Sequence, residues 1–237
     1  MDKMTAPDAI LERLLALHPK RIDLSLGRIQ RLLSAMGEPQ RRLPPTIHVA
    51  GTNGKGSTIA FARAICEAAG LGVHVYTSPH LVAFRERIRL AAPGGGRLVS
   101  GALLAHALDA VEKANDGGPI TFFEATTAAA FKLFADTPAD VLLLEVGLGG
   151  RYDATNVVES PACAVVTPVS LDHVEFLGDT IEKIAFEKAG IIKRGAPVVV
   201  AAQSEAALAV LEAAAARLRA PISCASLCAT RCRPSIK

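Results

Sequence analysis

Residues 48–57, "HVAGTNGKGS", place three glycines, a lysine and hydroxyl side chains in one short span. Glycines at 51, 54 and 56 let a backbone curl and aim its N–H groups at an anion, and Lys55 can neutralise phosphate charge. The widespread phosphate loop G-x-x-x-x-G-K-[ST] carries its hydroxyl directly after the lysine. Here Gly56 follows Lys55, and the hydroxyl comes later, at Ser57 or Thr58, either of which can face a metal. The apolar run before the loop and the helical pattern after it supply the strand, the loop and the helix N-terminus that a phosphate needs. Phosphate binding is therefore assigned to Gly51, Thr52, Asn53, Gly54, Lys55, Gly56, Ser57 and Thr58, in preference to a plain glycine-rich turn.

Further polar groups follow other apolar runs: Ser78 to His80, Glu145 at the end of "DVLLLEVG", and Asp172 with His173. A carboxylate in a buried strand costs on the order of several kcal/mol unless something pairs with it. Glu145 is thus either one partner of an ion pair or a ligand of magnesium, which favours carboxylate, hydroxyl and phosphate oxygens. His173 is either a packing residue or a metal ligand. In "TIEKIAFEKAGIIK" the helical period puts Lys188 on the stripe of Ile181, Ile184 and Ala185, away from Glu182, Lys183 and Glu187. Such a lysine either snorkels to the edge or has a depressed pKa. A neutral amine can take up carbon dioxide as a carbamate and so supply a carboxylate to a second metal.

The elements that must position these groups alternate. "TIHVA" (46–50), "GVHVYT" (72–77), "DVLLLEVG" (140–147), "CAVVTPV" (163–169) and "PVVVAA" (197–202) read as strands, nearly continuous in apolar residues. Helical patterns fall near 57–69, 100–115, 122–136, 179–190 and 204–218, with an N-terminal pair near 7–17 and 24–36. This predicts an α/β fold, a mostly parallel sheet flanked by helices on both sides. "EPQRRLPP" (38–45) is a linker and "AAPGGGRL" (91–98) a hairpin or loop tip. Ligands of such sheets bind beyond the carboxyl ends of the strands, where four runs in turn carry polar groups.

Bulk properties bound the function. The chain has 237 residues, 50% hydrophobic and 21% charged, enough for a real core. A net charge of +3 without a basic run, with 4% aromatics and no Trp, argues against nucleic acid and anionic membranes as partners. The charged, amphipathic N-terminus lacks the apolar core of a signal peptide, and Cys66 and Cys163 suit buried thiols, so a cytoplasmic, reduced protein is expected.

"HVAGTNGKGS", "TSPHL", "FFEATT", "EVGLGGRYDATN" and "LDHVEFLGDTIEKIAFEKAGIIK" together resemble folylpolyglutamate synthase and the bifunctional dihydrofolate synthase/folylpolyglutamate synthase, within the Mur-ligase-type amide ligases. The resemblance runs from about residue 20 to about 220. It implies a P-loop NTPase-like Mur-ligase central domain over residues 1–220, whose phosphate loop normally reads G-T-N-G-K-G-S. It implies ATP and two Mg2+ ions, one held by Ser78 and Glu145, the second by His173 and a carbamylated Lys188. Lys55, His173 and Lys188 would then be the catalytic residues. Thr121, Phe122, Phe123, Glu124, Arg151, Tyr152 and Asp153 match segments lining the pterin-side substrate site, and "IDLSLGRI" (22–29) its N-terminal piece. The implied reaction joins L-glutamate to dihydropteroate or a folate through an acyl phosphate, in a monomer.

The tail, 221–237, departs from that pattern, with Cys224, Cys228 and Cys232 in quick succession. It is expected to be a truncated or frameshifted end, with the family's C-terminal ligase domain absent and little activity in the chain alone. A zinc site at C-x3-C-x3-C lacks a fourth ligand. A non-catalytic nucleotide-binding module and a ligase of cell-wall precursors are the competing functions, and "SPHL" and "FFE" speak against the latter.

Overall fold

The computed structural model describes residues 6–17 and 25–225. Helices α1 (Ala6–Ala16) and α2 (Gly27–Ala35) lead into strand β1 (Thr46–Ala50), helix α3 (Lys55–Ala68) and strand β2 (Val73–Tyr76). A small hairpin, β3 (Ile88–Leu90) and β4 (Arg97–Leu98), precedes helices α4 (Gly101–Asn115) and α5 (Phe122–Asp136). Then come β5 (Val141–Glu145), β6 (Cys163–Val166), the one-turn α6 (Val174–Leu177), α7 (Ile181–Lys188), β7 (Val198–Ala201), α8 (Glu205–Leu218) and β8 (Ile222–Ala225).

The strands form one sheet in the order β4-β3-β2-β5-β1-β6-β7-β8. Every pair from β2 to β8 is parallel, and the hairpin adds two antiparallel strands at one edge. All five expected strands are present, and the 91–98 segment is the hairpin tip with its second strand. Three strands were not foreseen. Residues 222–225 extend the sheet by pairing with β7, so part of the atypical tail is a strand. The other tail residues, 226–237, and residues 22–24 of the N-terminal segment lie outside the described residues.

The helices cover the two faces unequally. Leu142 and Leu144 of β5 pack with α1, α2, α4 and α5 into the largest apolar cluster. Ala164, Val166, Val198 and Val200 pack on α7 and α8. Because parallel partners share a face, both clusters lie on one side. Helix α3 packs on the other, where Ile59 meets Val49, Val75 and Leu143. The chain thus leaves β1 across one face and returns beyond it across the opposite face. The loops diverge above the end of β1, which is where open α/β sheets bind ligands.

Helix α5 is buried on most of its surface, from Glu124 to Phe134. It starts with a capping box in which Thr121 accepts the Glu124 N–H at 3.1 Å and Glu124 accepts the Thr121 N–H at 2.7 Å. Phe131, at 0% exposure, is the largest side chain of its central turns. Phe131→Ala should destabilise the fold by about 3–5 kcal/mol, read as a lower urea midpoint at unchanged slope. A loss below about 1 kcal/mol would show that this helix is not the centre of the core.

Candidate active site

Strand β1 delivers the chain to Gly51, whose φ of +150° and close packing both demand glycine. A Cβ there would stand 1.8 Å from Thr167 Oγ1. Beyond it the loop is tied to the segment after β6. The Thr52 N–H donates to Pro168 O at 3.0 Å, the Thr52 hydroxyl to Ser170 O at 3.1 Å, and the Ser170 N–H returns a bond to Thr52 Oγ1 at 3.1 Å. Gln203, after β7, braces that segment by donating to Thr167 O and accepting the Val169 N–H. Gly54, with φ +85°, turns the chain into α3.

Helix α3 begins at Lys55, two residues before the expected start, so Lys55, Gly56 and Ser57 form its first turn. Thr58 spends its hydroxyl on Gly54 O at 2.8 Å. Ser57 is exposed and its hydroxyl bonds no described residue, so of the two candidates Ser57 is the one free to face a ligand.

Two lysines converge on one carbonyl. Lys55 Nζ donates to Gly51 O at 3.1 Å and to Thr52 O at 3.2 Å, and Lys188 Nζ donates to the same Gly51 O at 2.9 Å. Lys188 is 3% exposed, so it does not snorkel. Burial, and then the charge of Lys55, push its pKa down to about 8, against the pull of Asp172 and Asp153. Glu145 is 5% exposed at the end of β5. Burial raises its pKa, while nearby Lys55 and the Ser78 N–H, donating at 3.4 Å, oppose the shift. The structure therefore gathers Lys55, Glu145, Ser78 and Lys188 around the phosphate loop. His173 leads into α6 in the left-handed region (φ 47°), half-exposed, with Asp172 at 3.7 Å, and among the described residues its side chain makes no hydrogen bond to the other four. Among the described residues no three His, Cys, Asp or Glu side chains converge on a metal position.

Beside this cluster lies a cavity of about 390 Å3 between the ends of β2 and β5 and the start of α5. Thr121, Phe123, Glu124, Tyr152 and Asp153 line it, together with Ser78, which it shares with the phosphate side. Arg28 and Arg87 line it as well. Arg28 pairs with Glu124 at 3.0 Å, both largely buried. Arg87 lies 5.2 Å over the Phe84 ring and donates to His80 Nδ1 at 2.9 Å. Phe122 and Arg151 do not line the cavity. Phe122 packs edge-on against Phe84, since adjacent helical residues point about 100° apart. Arg151 lies 4.0 Å over the Phe186 ring and donates to Phe186 O at 3.2 Å, which turns it toward α7. Arg28 falls in the 22–29 segment that the resemblance assigned to the substrate pocket, whereas Arg87 was not foreseen, because it arrives from an element without a phosphate-like or strand-end signature.

The Mur ligase middle domain family matches residues 49–224. The chain belongs to this family. It is 43% identical over 201 residues to the dihydrofolate synthase/folylpolyglutamate synthase of Bacillus subtilis, a match covering 83% of this chain and 46% of that protein. Its fold superposes on apo L. casei FPGS with a TM-score of 0.85 at 36% identity, covering 92% of this chain and 53% of that one. On E. coli FolC in complex with DHPP and ADP the score is 0.84 at 37% identity, covering 94% and 52%. The chain spans about half the length of these relatives, and within that half the middle-domain match reaches Cys224 in β8.

The buried lysine of this middle domain gives a signed pH effect. Its folded pKa lies below the ordinary 10.5, so burying the ammonium destabilises the fold in full below about pH 8, and this is relieved as pH rises toward 10.5. Relative to Lys188→Met, the wild type should therefore gain up to about 3 kcal/mol between neutral pH and about pH 10.5. Parallel stability curves for the two proteins across that window would show that Lys188 keeps the same proton occupancy folded and unfolded, so that burial does not depress its pKa.

Proposed function

We propose that this chain carries the nucleotide-binding and organic-acid-binding groups of an ATP-dependent amide ligase that joins L-glutamate to dihydropteroate, folates or both. The observation that carries this reading is Ser78: it lines the cavity, and its backbone bonds Glu145, which lies within the field of Lys55. An organic acid in the cavity would thus present its carboxylate toward the phosphate loop. The relatives agree with this, since the B. subtilis protein is named for both synthase activities and E. coli FolC holds DHPP and ADP.

In the first step a carboxylate oxygen of the acid attacks the γ-phosphorus of ATP. The new P–O bond forms as the bond to ADP breaks, giving an acyl phosphate. In the second, the amine of glutamate attacks the acyl carbon, phosphate leaves, and the amine gives up a proton. Lys55 and the N–H groups of Gly54 to Ser57 stabilise the phosphate charge, and the apolar cavity wall shields the acyl phosphate from water.

The donor set fits magnesium. Glu145 is a buried carboxylate whose one hydrogen bond, among the described residues, is the long 3.4 Å contact from Ser78, so a hard cation would supply the missing partner. Ser78 and Glu145 would hold one ion, His173 and Lys188 a second. Bound magnesium would neutralise the negative charge shared by the nucleotide phosphates. For the second position Lys188 must first become an acid: its neutral nitrogen attacks carbon dioxide, an N–C bond forms and a proton is lost, leaving a carbamate. A pKa of about 8 leaves roughly a tenth of Lys188 uncharged at pH 7, far more than an ordinary lysine offers. Wild-type protein in 13C-bicarbonate should give a carbamate carbon resonance that Lys188→Met lacks. The same spectrum from both proteins would remove the carbamate from this account.

Phosphate release from ATP should require the organic acid and L-glutamate together, and Lys55→Ala should lower it at least about 100-fold. Nucleotide binding without such release, whatever acid is offered, would leave a non-ligating nucleotide-binding module as the function.

A further inference from the structure

His48 of β1 is completely buried, a polar side chain in a strand whose neighbours are apolar. Its Nε2 lies 2.8 Å from Thr155 Oγ1. The single hydroxyl proton of Thr155 is donated to Asp153 Oδ1, so the threonine oxygen must accept from His48, and the imidazole proton sits on Nε2. Burial pushes the His48 pKa down to about 3, with a smaller push from Lys193, so the ring stays neutral and keeps this tautomer. Its other nitrogen, Nδ1, is buried without a partner among the described residues. A core that accepts an unpaired nitrogen where an aliphatic side chain would fit needs the paired nitrogen for something.

The chain of bonds continues from Asp153. Its Oδ1 also accepts the Thr155 N–H at 3.0 Å, and its Oδ2 accepts the Leu148 N–H at 2.8 Å. Gly147, Leu148, Tyr152 and Asp153 form one wall of the organic-acid cavity. The strand that carries the phosphate loop is therefore linked through two side chains to the loop that shapes the neighbouring cavity.

We propose that His48 is a positioning residue: through Thr155 its Nε2–H fixes Asp153, and Asp153 holds the 147–153 loop in the shape that receives the organic acid. The loop-holding role stands on the bond chain alone. Only the identity of the received acid rests on the ligase reading.

His48→Leu keeps the bulk of the ring and removes the donor, whereas His48→Gln can return an amide N–H to the Nε2 position. By hydrogen exchange, His48→Leu should speed exchange of the amides in 147–153 about 10-fold or more, with 51–58 changed less than about 2-fold, and His48→Gln should restore protection. In turnover, His48→Leu should raise KM for dihydropteroate or pteroylglutamate about 10- to 100-fold and leave KM for ATP within about 2-fold. If His48→Leu does not fold, Thr155→Val breaks the same link and carries the same expectation. Unchanged exchange in 147–153, or an equal rise throughout the chain without rescue by glutamine, would overturn the proposal. No change in 147–153 exchange of the wild type on adding dihydropteroate or pteroylglutamate, with the His48→Leu pattern as expected, would overturn the ligase reading and leave the positioning role standing.

Discussion

The carbonyl of Gly51 accepts two ammonium groups, and the rest of the site is arranged around that crowding. Like charges this close repel, and burial makes the repulsion stronger because little water screens it. Lys188 bears most of the penalty, since it is the more buried of the two. The carbonyl can sit between them because Gly51 lets the backbone press against Thr167 with no side chain in the way. Any side chain at this position would push β1 and β6 apart at the point where their loops meet. A surplus of buried positive charge beside an under-coordinated carboxylate is poorly balanced in isolation, and anionic phosphate with a divalent cation is the ligand chemistry that balances it.

Backbone contact secures the second half of the site in the same way. A Cβ on Gly150 would meet Glu187 O at 2.8 Å, and one on Gly190 would meet the Arg151 Cα at 2.4 Å. These glycines let the 147–153 loop lie directly on the end of α7, where the Arg151 N–H donates to Glu187 O at 2.8 Å. Lys188 is therefore held in place by the loop that also walls the organic-acid cavity. Glu145, Lys188 and Asp153 share one small volume through rigid backbone rather than through flexible side chains, as a site that must hold reacting groups in register requires.

The strands that carry the site were legible because both their faces are covered, or nearly so, and their sequences are uninterrupted apolar runs. Strands β3 and β4 are three and two residues long and carry Arg89 and Arg97, so no run of either period marks them. Strand β8 is largely exposed, and only its pairing with β7 makes it a strand. The phosphate loop and Glu145 were legible for a different reason: a glycine-lysine cluster and a carboxylate are conspicuous after apolar runs. Arg151 does not join Tyr152 and Asp153 in lining the cavity because sequence proximity says nothing about direction, and the Phe186 ring draws its guanidinium the other way. Arg87 is an ordinary arginine in sequence, and only the fold brings it to the cavity beside Arg28, whose 22–29 segment the resemblance had assigned there.

Asp153 shows why residue type alone could not separate recognition from support. It lines the cavity, as expected of a substrate-side residue, yet both its oxygens are occupied by the Leu148 N–H, the Thr155 N–H and the Thr155 hydroxyl. Burial raises its pKa while these donors lower it, the balance of a carboxylate whose bonds are internal. A ligand donor would have to share an oxygen that these buried donors already engage, and displacing one of them would cost about 1–3 kcal/mol. Among the described residues, the Tyr152 hydroxyl and Arg87 are polar groups of the cavity away from the Asp153 network, and a ligand there would meet them within largely apolar walls. Asp153 serves recognition indirectly, by keeping the loop in the one shape that presents them.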